Sequence, residues 1–308
     1  MTPKLSVLMI TYNQEKFIAQ AVDSVLMQKT DFDYEIVIGE DRSTDKTRQI
    51  LLDYQARHPK KIHLLLHEKN LGSGQNIVTT WEKCRGKYIA LLEGDDYWTA
   101  KEKLQTQVDF LEASPTYSMT FHNVTMLFDN GTARPWKYIP KNVRRKTFYV
   151  QDLFKNNFIP TGSVVARREA LSGFPAWFPD LTIGDWPLFL MLAHRGPIKF
   201  FNRFMGVYRV HAGSTIAGLP DSVRLGIHVV IFRNFNIYSG FQYNKHSHRA
   251  LFNTFANLAW RHLKTDNINA SLVDVGAFLK HLGLYGVAKI GEILNLKKRE
   301  VSRVRVLD

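Results

Sequence analysis

The stretch Tyr88-Ile89-Ala90-Leu91-Leu92-Glu93-Gly94-Asp95-Asp96 joins a short apolar run directly to a cluster of acids. The apolar half is typical of a buried β-strand. Neighbouring carboxylates repel one another, so their placement at a strand end is costly unless a cation or several hydrogen-bond donors compensate. Carboxylate oxygens suit Mg²⁺ or Mn²⁺. The simpler alternative is a solvated acidic turn, or a cap for a helix that starts near Lys101.

Three further apolar runs precede this strand, and they alternate with helical patterns. They are Leu5 to Ile10, Glu35 to Gly39 and Ile62 to Leu66. This alternation predicts βαβ units, and therefore an α/β fold whose mostly parallel central sheet is flanked by helices. Ligands of such sheets bind beyond the carboxyl ends of the strands. We therefore expect the polar residues that follow the four strands to converge on one ligand.

The polar segments after the first three strands carry groups that can form hydrogen bonds with a ligand. Thr11-Tyr12-Asn13 follows the first, and Glu40-Asp41-Arg42-Ser43-Thr44-Asp45 follows the second. Ser43 or Asp45 can cap the next helix, but capping does not account for Glu40 and Asp41, which can accept a hydrogen bond from a nucleobase or a ribose. After the third strand, the glycine-rich segment from Asn70 to Asn76 opens a helix, where backbone N–H groups can approach a ligand.

Taken in this order, the four segments resemble the donor-binding half of inverting family 2 glycosyltransferases with the GT-A fold. The resemblance covers about the first 110 residues and extends loosely to about residue 215. It implies a Rossmann-like nucleotide-diphospho-sugar transferase fold and transfer of a sugar to a hydroxyl acceptor with inversion, assisted by Mn²⁺ or Mg²⁺. The family often has Asp in place of Glu40 and Glu93, and Gly in place of Arg42. The resemblance favours a uridine donor and does not predict which sugar is transferred.

The resemblance also implies roles for individual residues. Thr11 and Tyr12 would lie against the base, and Asp41 would bond the uracil or its equivalent. Asp95 would face the ribose and the metal, and Asp96 would ligate the metal directly. The other residues assigned to donor binding are Asn13, Glu40, Asn70, Gly72, Asn76, Glu93 and Arg209.

Two later motifs complete the resemblance. In Thr182-Ile183-Gly184-Asp185-Trp186, Asp185 matches the catalytic base, although Gly184 replaces the usual Glu and a helix cap is the alternative. Tyr208-Arg209-Val210-His211 resembles a late strand motif whose Arg or His approaches the pyrophosphate or the metal. His211 is therefore assigned to the metal, with a structural histidine as the alternative. Direct displacement at an anomeric carbon needs both a base and a cation.

The chain of 308 residues, 45% hydrophobic, is long enough for one large domain and an appendage. We place the catalytic domain at 1–218, with a nucleotide-sugar-binding half at 1–115 and an acceptor half at 116–218. Residues 219–308 are expected to form a helical C-terminal region. Aromatic segments at 148–160 and 177–186 are expected to shape the pocket for a saccharide or lipid-linked saccharide acceptor.

The net charge of +13 favours anionic partners. The charge gathers in Arg134 to Lys146 and in Lys297 to Arg305, runs that could also be solvated faces. A basic nucleic-acid-binding protein is one alternative, but polar strand ends around one site, two of them rich in acids, argue against it. A nucleotidyltransferase is the nearer alternative, although such enzymes usually carry a basic, glycine-rich loop after the first strand. We expect no nucleic-acid partner.

The sequence contains no apolar run of about 18 residues, and its apolar start is too short for a signal peptide. A cytoplasmic protein is therefore expected. One hypothesis is that the amphipathic, basic stretch from Leu272 to Arg305 holds the protein against the inner membrane face, close to a lipid-linked acceptor. The single cysteine, Cys84, is expected to be a small core residue.

Overall fold

The computed structural model describes residues 2–136, 139, 146–211, 213 and 221–264. The strands are β1 (Leu5–Thr11), β2 (Tyr34–Glu40), β3 (Ile62–Leu66), β4 (Tyr88–Glu93), β5 (Tyr97–Trp98), β6 (Met119–Phe128), β7 (Ala133–Pro135), β8 (Thr147–Phe148), β9 (Val165–Arg167) and β10 (Ile198–Val210). The helices are α1 (Ile18–Leu26), α2 (Thr47–Arg57), α3 (Ser73–Lys83), α4 (Lys103–Ala113), α5 (Val150–Leu153), α6 (Asp185–His194), α7 (Asp221–Tyr238) and α8 (Asn244–Lys264). Short 3₁₀ turns lie at Thr161–Ser163 and Arg168–Ala170.

Within the described residues, the ten strands belong to one sheet, in the order β3-β2-β1-β4-β9-β6-β10-β5, with β7 beside β6 and β8 beside β10. Strands β1 to β4 are parallel to one another. Strand β9 runs antiparallel to both β4 and β6, whereas β10 runs parallel to β6. The carboxyl ends of β1, β2, β3, β4, β6 and β10 therefore lie at the same edge of the sheet.

The two faces of the sheet support separate hydrophobic cores. Alternate residues of β1 show this division, because Leu8 packs on one side with α3, α5, α6 and α7, whereas Val7 packs on the other with α1, α2 and α4. The central strands β1, β2 and β4 are buried along nearly their whole length. Burial on both faces is what a parallel sheet covered by helices requires, and it explains why these strands read as continuous apolar runs.

The expected α/β fold with a mostly parallel sheet is confirmed. The apolar runs predicted as strands all lie in strands, and Asp185, for which a helix cap was the alternative role, is the first residue of α6. Helices α7 and α8 agree with the helical pattern predicted from about residue 220, while residues 265–308, including Leu272 to Arg305, lie outside the described residues. The division at 115 and 218 stays a prediction. Cys84 is buried and packs in the core, as expected.

None of the helices described above combines the length and the apolarity needed to cross a bilayer.

Close packing of α3 on β2 requires a glycine in the strand. The Asn76 side chain donates from Nδ2 to the carbonyl oxygen of Gly39 at 2.9 Å. A Cβ atom at Gly39 would lie 2.0 Å from Asn76 Oδ1 and 2.2 Å from Thr80 Oγ1. The helix therefore approaches the strand so closely that any side chain at position 39 must displace it.

We expect Gly39→Ala to lower the free energy of unfolding by about 1–3 kcal/mol, because the added methyl overpacks the contact between α3 and β2. Urea denaturation measures the change. The control is Gly173→Ala, since a Cβ atom there meets nothing within 4 Å. Equal stability of the two variants would contradict this account of the α3 contact.

Candidate functional site

Three acids gather where β4 ends. One carboxylate oxygen from each of Glu93, Asp95 and Asp96 lies within 4.8 Å of the other two. Asp96 is only 3% exposed, and the other two acids are half-buried. Carboxylate oxygens are the ligands that Mg²⁺ or Mn²⁺ prefers, so three of them grouped in this way fit a divalent cation.

The electrostatics of the cluster favour a cation or a proton. Burial raises the pKa of Glu93 well above its usual range, and the charges of Asp95 and Asp185 raise it further. Burial likewise raises the pKa of Asp96, with Asp95 and Glu93 adding to the effect. The negative charges therefore repel one another in a site that is partly shielded from water.

The end of β10 supplies positive groups to the cluster. The backbone N–H of Arg209 donates to Asp96 Oδ1 at 2.8 Å, and its guanidinium donates to the carbonyl oxygen of Asp95 and to Gln20 Oε1. The guanidinium lies over the ring of Tyr97 at 4.5 Å. His211 Nε2 lies 3.0 Å from Asp95 Oδ2, and this contact raises the pKa of the imidazole. Both predicted residues therefore adjoin the acids, and direct metal ligation by His211 stays a prediction.

The segment after β1 contacts the segment after β2. The backbone N–H of Asn13 donates to Ser43 Oγ at 2.9 Å, and Asn13 Oδ1 accepts from the backbone N–H of Thr44 at 2.8 Å. Thr11 is buried, whereas Tyr12 is 46% exposed at the same edge of the sheet. The contact of Thr11 and Tyr12 with a base stays a prediction, as does a donor-binding role for Asn13.

Glu40 and Asn76 have protein partners for their polar atoms. Glu40 is fully buried, accepts from the backbone N–H of Ser43 at 2.6 Å, and pairs with Arg48. Asn76 Oδ1 lies 3.0 Å from His67 Nε2. These contacts hold the loops after β2 and β3 in place, and a direct contact of either residue with a donor stays a prediction.

Asp41 holds the glycine-rich loop that follows β3. Its Oδ1 accepts from the backbone N–H of Leu71 at 2.7 Å, and its Oδ2 accepts from that of Gly72 at 2.9 Å. Asn70 Nδ2 donates to the carbonyl oxygen of Asp41 at 3.1 Å. The predicted donor residues Asp41, Asn70 and Gly72 therefore form one connected unit, and each carboxylate oxygen retains a further lone pair for a ligand.

Asp185 is the first residue of α6 and has three hydrogen-bond donors. Its Oδ1 accepts from the backbone N–H of Trp186 at 2.6 Å, and its Oδ2 accepts from Asn157 Nδ2 at 2.9 Å and from Thr161 Oγ1 at 3.4 Å. Burial raises the pKa of Asp185 despite these donors. A carboxylate whose pKa is raised is a stronger base once ionised, which suits proton abstraction.

Asp185 and the acidic cluster share one environment. Burial raises the pKa of Tyr208, and the charges of Glu93, Asp96 and Asp185 all raise it further. The turn Thr161–Ser163 lies between Asp185 and the cluster, since Thr161 Oγ1 is 3.4 Å from Asp185 Oδ2 and a Cβ atom on Gly162 would be 3.6 Å from Asp96 Oδ2. The structure therefore brings the predicted base close to the predicted metal ligands, although these acids are about 90 residues apart in the chain. Sequence reasoning placed residues 148–160 near the acceptor but did not single out Asn157, and it missed Thr161, because no motif marks the contacts of these two residues with Asp185.

Residues 6–173 match the model of the family described as Glycosyl transferase family 2. Because this match covers more than half of the chain, the protein belongs to the family 2 glycosyltransferases.

Individual relatives and structures agree with this assignment. The uncharacterized protein Rv1520 of Mycobacterium tuberculosis is 38% identical over 209 residues, which are 68% of this chain and 59% of that protein. An Escherichia coli relative, UDP-Glc:alpha-D-GlcNAc-diphosphoundecaprenol beta-1,3-glucosyltransferase WfgD, is 28% identical over 198 residues, which are 64% of this chain and 73% of the relative. The crystal structure of S. aureus TarS with UDP superposes with a TM-score of 0.59 and 20% identity, over 80% of this chain and 69% of TarS.

The chain thus spans about three fifths of the length of the mycobacterial relative that it matches. The likeness to TarS concerns the fold, which confirms the predicted GT-A architecture.

The repulsion within the acidic cluster predicts an unusual dependence of stability on pH. Acids whose pKa is raised by folding bind more protons in the folded than in the unfolded chain, so stability falls as pH rises above the unfolded-chain pKa of about 4. In EDTA, we expect Asp96→Asn to be more stable than the wild type at pH 8, by at least about 1 kcal/mol, and to flatten this dependence.

Thermal unfolding between pH 5 and pH 8 measures the effect. Asp31→Asn is the matched control, because Asp31 is exposed and outside the cluster. Identical dependence of stability on pH for the two variants would show that repulsion within the cluster does not destabilise the folded protein.

Proposed function

We propose that this protein transfers a sugar from a nucleoside diphosphate donor, a UDP-sugar, to a hydroxyl group of a saccharide or lipid-linked saccharide, with inversion. The observation that carries the proposal is the grouping of Glu93, Asp95 and Asp96 at the carboxyl edge of the sheet, with Asp185 bound to the turn Thr161–Ser163 that lies against them. Membership of the family supports the transfer of a sugar over the transfer of a nucleotide. The expectation that no nucleic acid binds stays a prediction.

The acidic cluster would hold the cation, with Asp96 as the direct ligand and Asp95 beside it. Mn²⁺ or Mg²⁺ at this place would stabilise the negative charge of the departing diphosphate. Arg209 lies next to the same acids, so its guanidinium would pair with phosphate oxygens of the donor. The loop around Gly72 and the exposed ring of Tyr12 would hold the nucleoside. These assignments use only groups at one edge of the sheet.

Asp185 would act as the base. An acceptor hydroxyl must lose its proton as it attacks the anomeric carbon, and a buried, fixed carboxylate close to the donor site can take that proton. Attack from the side opposite the leaving diphosphate inverts the anomeric configuration in a single displacement. The name of WfgD describes a UDP-glucose donor and a lipid diphosphate acceptor for that protein, and this supports the classes of donor and acceptor proposed for the present chain.

Calorimetric titration with UDP in the presence and absence of Mn²⁺ tests the donor site. We expect Mn²⁺ to strengthen binding and Asp96→Asn to weaken the Mn²⁺-dependent binding by at least about tenfold, because a charged oxygen ligand is lost while the acceptor for the Arg209 N–H remains. Titrations with GDP and dTDP provide the comparison. Tighter binding of either nucleotide would refute the uridine assignment, and failure of all three would refute the proposed activity.

The substitution Asp185→Asn tests whether Asp185 is the catalytic base. We expect the rate of transfer to fall about 10²–10⁴-fold, because the amide cannot accept the proton. UDP affinity should stay within about twofold of the wild type, because Asp185 is assigned to the acceptor step. Release of UDP from UDP-glucose, UDP-galactose and UDP-N-acetylglucosamine, with a panel of saccharide acceptors, measures the rate. A variant as active as the wild type would remove Asp185 from the mechanism.

A further inference from the structure

One face of helix α7 exposes a row of mostly apolar residues to solvent. The exposed residues of this face, here called the outer face of α7, are Val223, Gly226, Val230, Arg233 and Ile237. Their spacing of three or four residues places them on a single side of the helix. At the usual rise of an α-helix, the row is about 20 Å long. The outer face is therefore an apolar stripe that carries one charged residue.

The turn after α7 adds an exposed aromatic ring to this region. Phe241 is 57% exposed, and Ile237, four residues earlier, is 54% exposed. The backbone N–H of Phe241 donates to the carbonyl oxygen of Asn236 at 2.8 Å, which keeps the turn close to the end of the helix. Large apolar side chains that gather on a surface in this way are typical of an interaction site.

The inner face of α7 packs beside the proposed base. Phe232 is buried, and its ring lies 5.2 Å from the ring of Trp186 and 5.3 Å from that of Phe154. Trp186 directly follows Asp185, the first residue of α6. A surface that contacts the outer face would therefore be separated from the ring of Trp186 by about the diameter of one helix, roughly 10 Å.

The charge of this part of the chain is entirely positive. Residues 222–265 contain no aspartate or glutamate. Their lysines and arginines are Arg224, Arg233, Lys245, Arg249, Arg261 and Lys264. Positive charge without compensation, next to exposed apolar side chains, favours a partner that is both anionic and apolar.

Two other occupants of the outer face are electrostatically unfavourable. A second copy of the chain would bring the same positive charge to the contact, and the run from Lys297 to Arg305 is itself basic. An anionic bilayer instead offers negative headgroups above an apolar interior. Arg233 can extend its guanidinium to the headgroups while its methylene groups stay beside the aliphatic side chains.

We propose that the outer face of α7, together with Phe241, lies in the surface of a membrane that contains anionic lipids. This contact differs from the one predicted for Leu272 to Arg305, because it is formed by an apolar face of α7 and the turn after it. Helix α7 then lies between the bilayer and Trp186, so a lipid-linked acceptor would present its hydroxyl group near Asp185. The statement about the acceptor rests on the proposed function, whereas the binding of lipid does not require sugar transfer.

Flotation of the full chain with vesicles tests this surface. The vesicles contain phosphatidylcholine alone, or phosphatidylcholine with about one third phosphatidylglycerol. The test variant is Ile237→Gln/Phe241→Asn, since glutamine suits a helix and asparagine tolerates the φ of 63° at Phe241. The matched control is Leu52→Gln/Phe204→Asn, which removes an exposed aliphatic residue of α2 and an exposed aromatic residue of β10.

We expect the wild type to bind the anionic vesicles at least about tenfold more strongly than the neutral ones, because the headgroups supply the negative charge. The test variant should lose at least about tenfold in its partition coefficient for anionic vesicles, since two large side chains no longer leave water. The control should stay within about twofold of the wild type.

Two further measurements separate lipid binding from folding and from catalysis. Thermal unfolding shows whether each variant folds, and Val230→Gln replaces Ile237→Gln if that substitution prevents folding. Release of UDP with a soluble saccharide acceptor should be within about twofold of the wild type in both double variants, because neither changes a residue of the proposed site.

Several outcomes would overturn the membrane contact. A test variant that binds anionic vesicles as well as the wild type removes α7 from the contact. If Lys297→Gln/Lys298→Gln/Arg299→Gln alone abolishes binding, the basic C-terminal run forms the contact instead. A wild-type dimer that the test variant dissociates, measured by analytical ultracentrifugation without lipid, assigns the outer face to a second copy.

The lipid surface and the proposed function can fail independently. Vesicle binding by a protein that releases no UDP from any donor would contradict the proposed function and leave the lipid surface standing. UDP release by a wild type that does not float with anionic vesicles would have the opposite meaning. Binding of a single-stranded nucleic acid that the test variant loses, without binding of vesicles, would replace the lipid with an anionic polymer.

Discussion

Repulsion among Glu93, Asp95 and Asp96 at the end of a buried strand is the constraint on which the rest of the site depends. The cluster is half enclosed, so water screens its charges poorly. The protein supplies partial compensation from β10, through the backbone of Arg209 and the imidazole of His211. These groups satisfy single oxygens and leave others available. The folded protein is therefore less stable with this site empty than it would be with an apolar strand end, and a bound cation raises its stability.

Much of the fold could be predicted from the sequence, because its central strands are buried on both faces. An apolar run such as Tyr88 to Leu92 can be recognised without knowledge of its neighbours, and the acids after it then lie at a strand end. The position of β9 could not be predicted in this way. It has three residues, and it runs antiparallel between β4 and β6. That arrangement brings the turn at Thr161 against the acidic cluster, and no local pattern specifies it.

The sequence was less informative about which polar residues at the strand ends face a ligand. Glu40 and Asn76 were assigned to the donor from their positions after strand ends and from a resemblance, and in the structure their polar atoms have protein partners. A buried carboxylate at a strand end must be satisfied in either case, so the same residue type is expected for a ligand contact and for a loop contact. At Arg42, by contrast, the structure explains a difference between this sequence and the family. Its φ of 63° lies in the left-handed region, which gives a conformational reason for the glycine that is common there in the family.

The residues proposed for catalysis do not all lie within the segment that defines the family. The family match ends at residue 173, whereas Asp185, Arg209 and His211 follow it. Asp185 begins α6, whereas the placement of Arg209 and His211 depends on β10, whose pairing with β6 shifts in register between Phe201 and Phe204 and again before Gly206. Such irregularities bend a strand and redirect the side chains that follow. The end of β10 pairs antiparallel with β5, with Val207 opposite Tyr97, and β5 begins directly after Asp96. The cluster therefore acquires its positive neighbours from the strand that pairs with β5, although β9 and β6 separate that strand from β4 in the sheet.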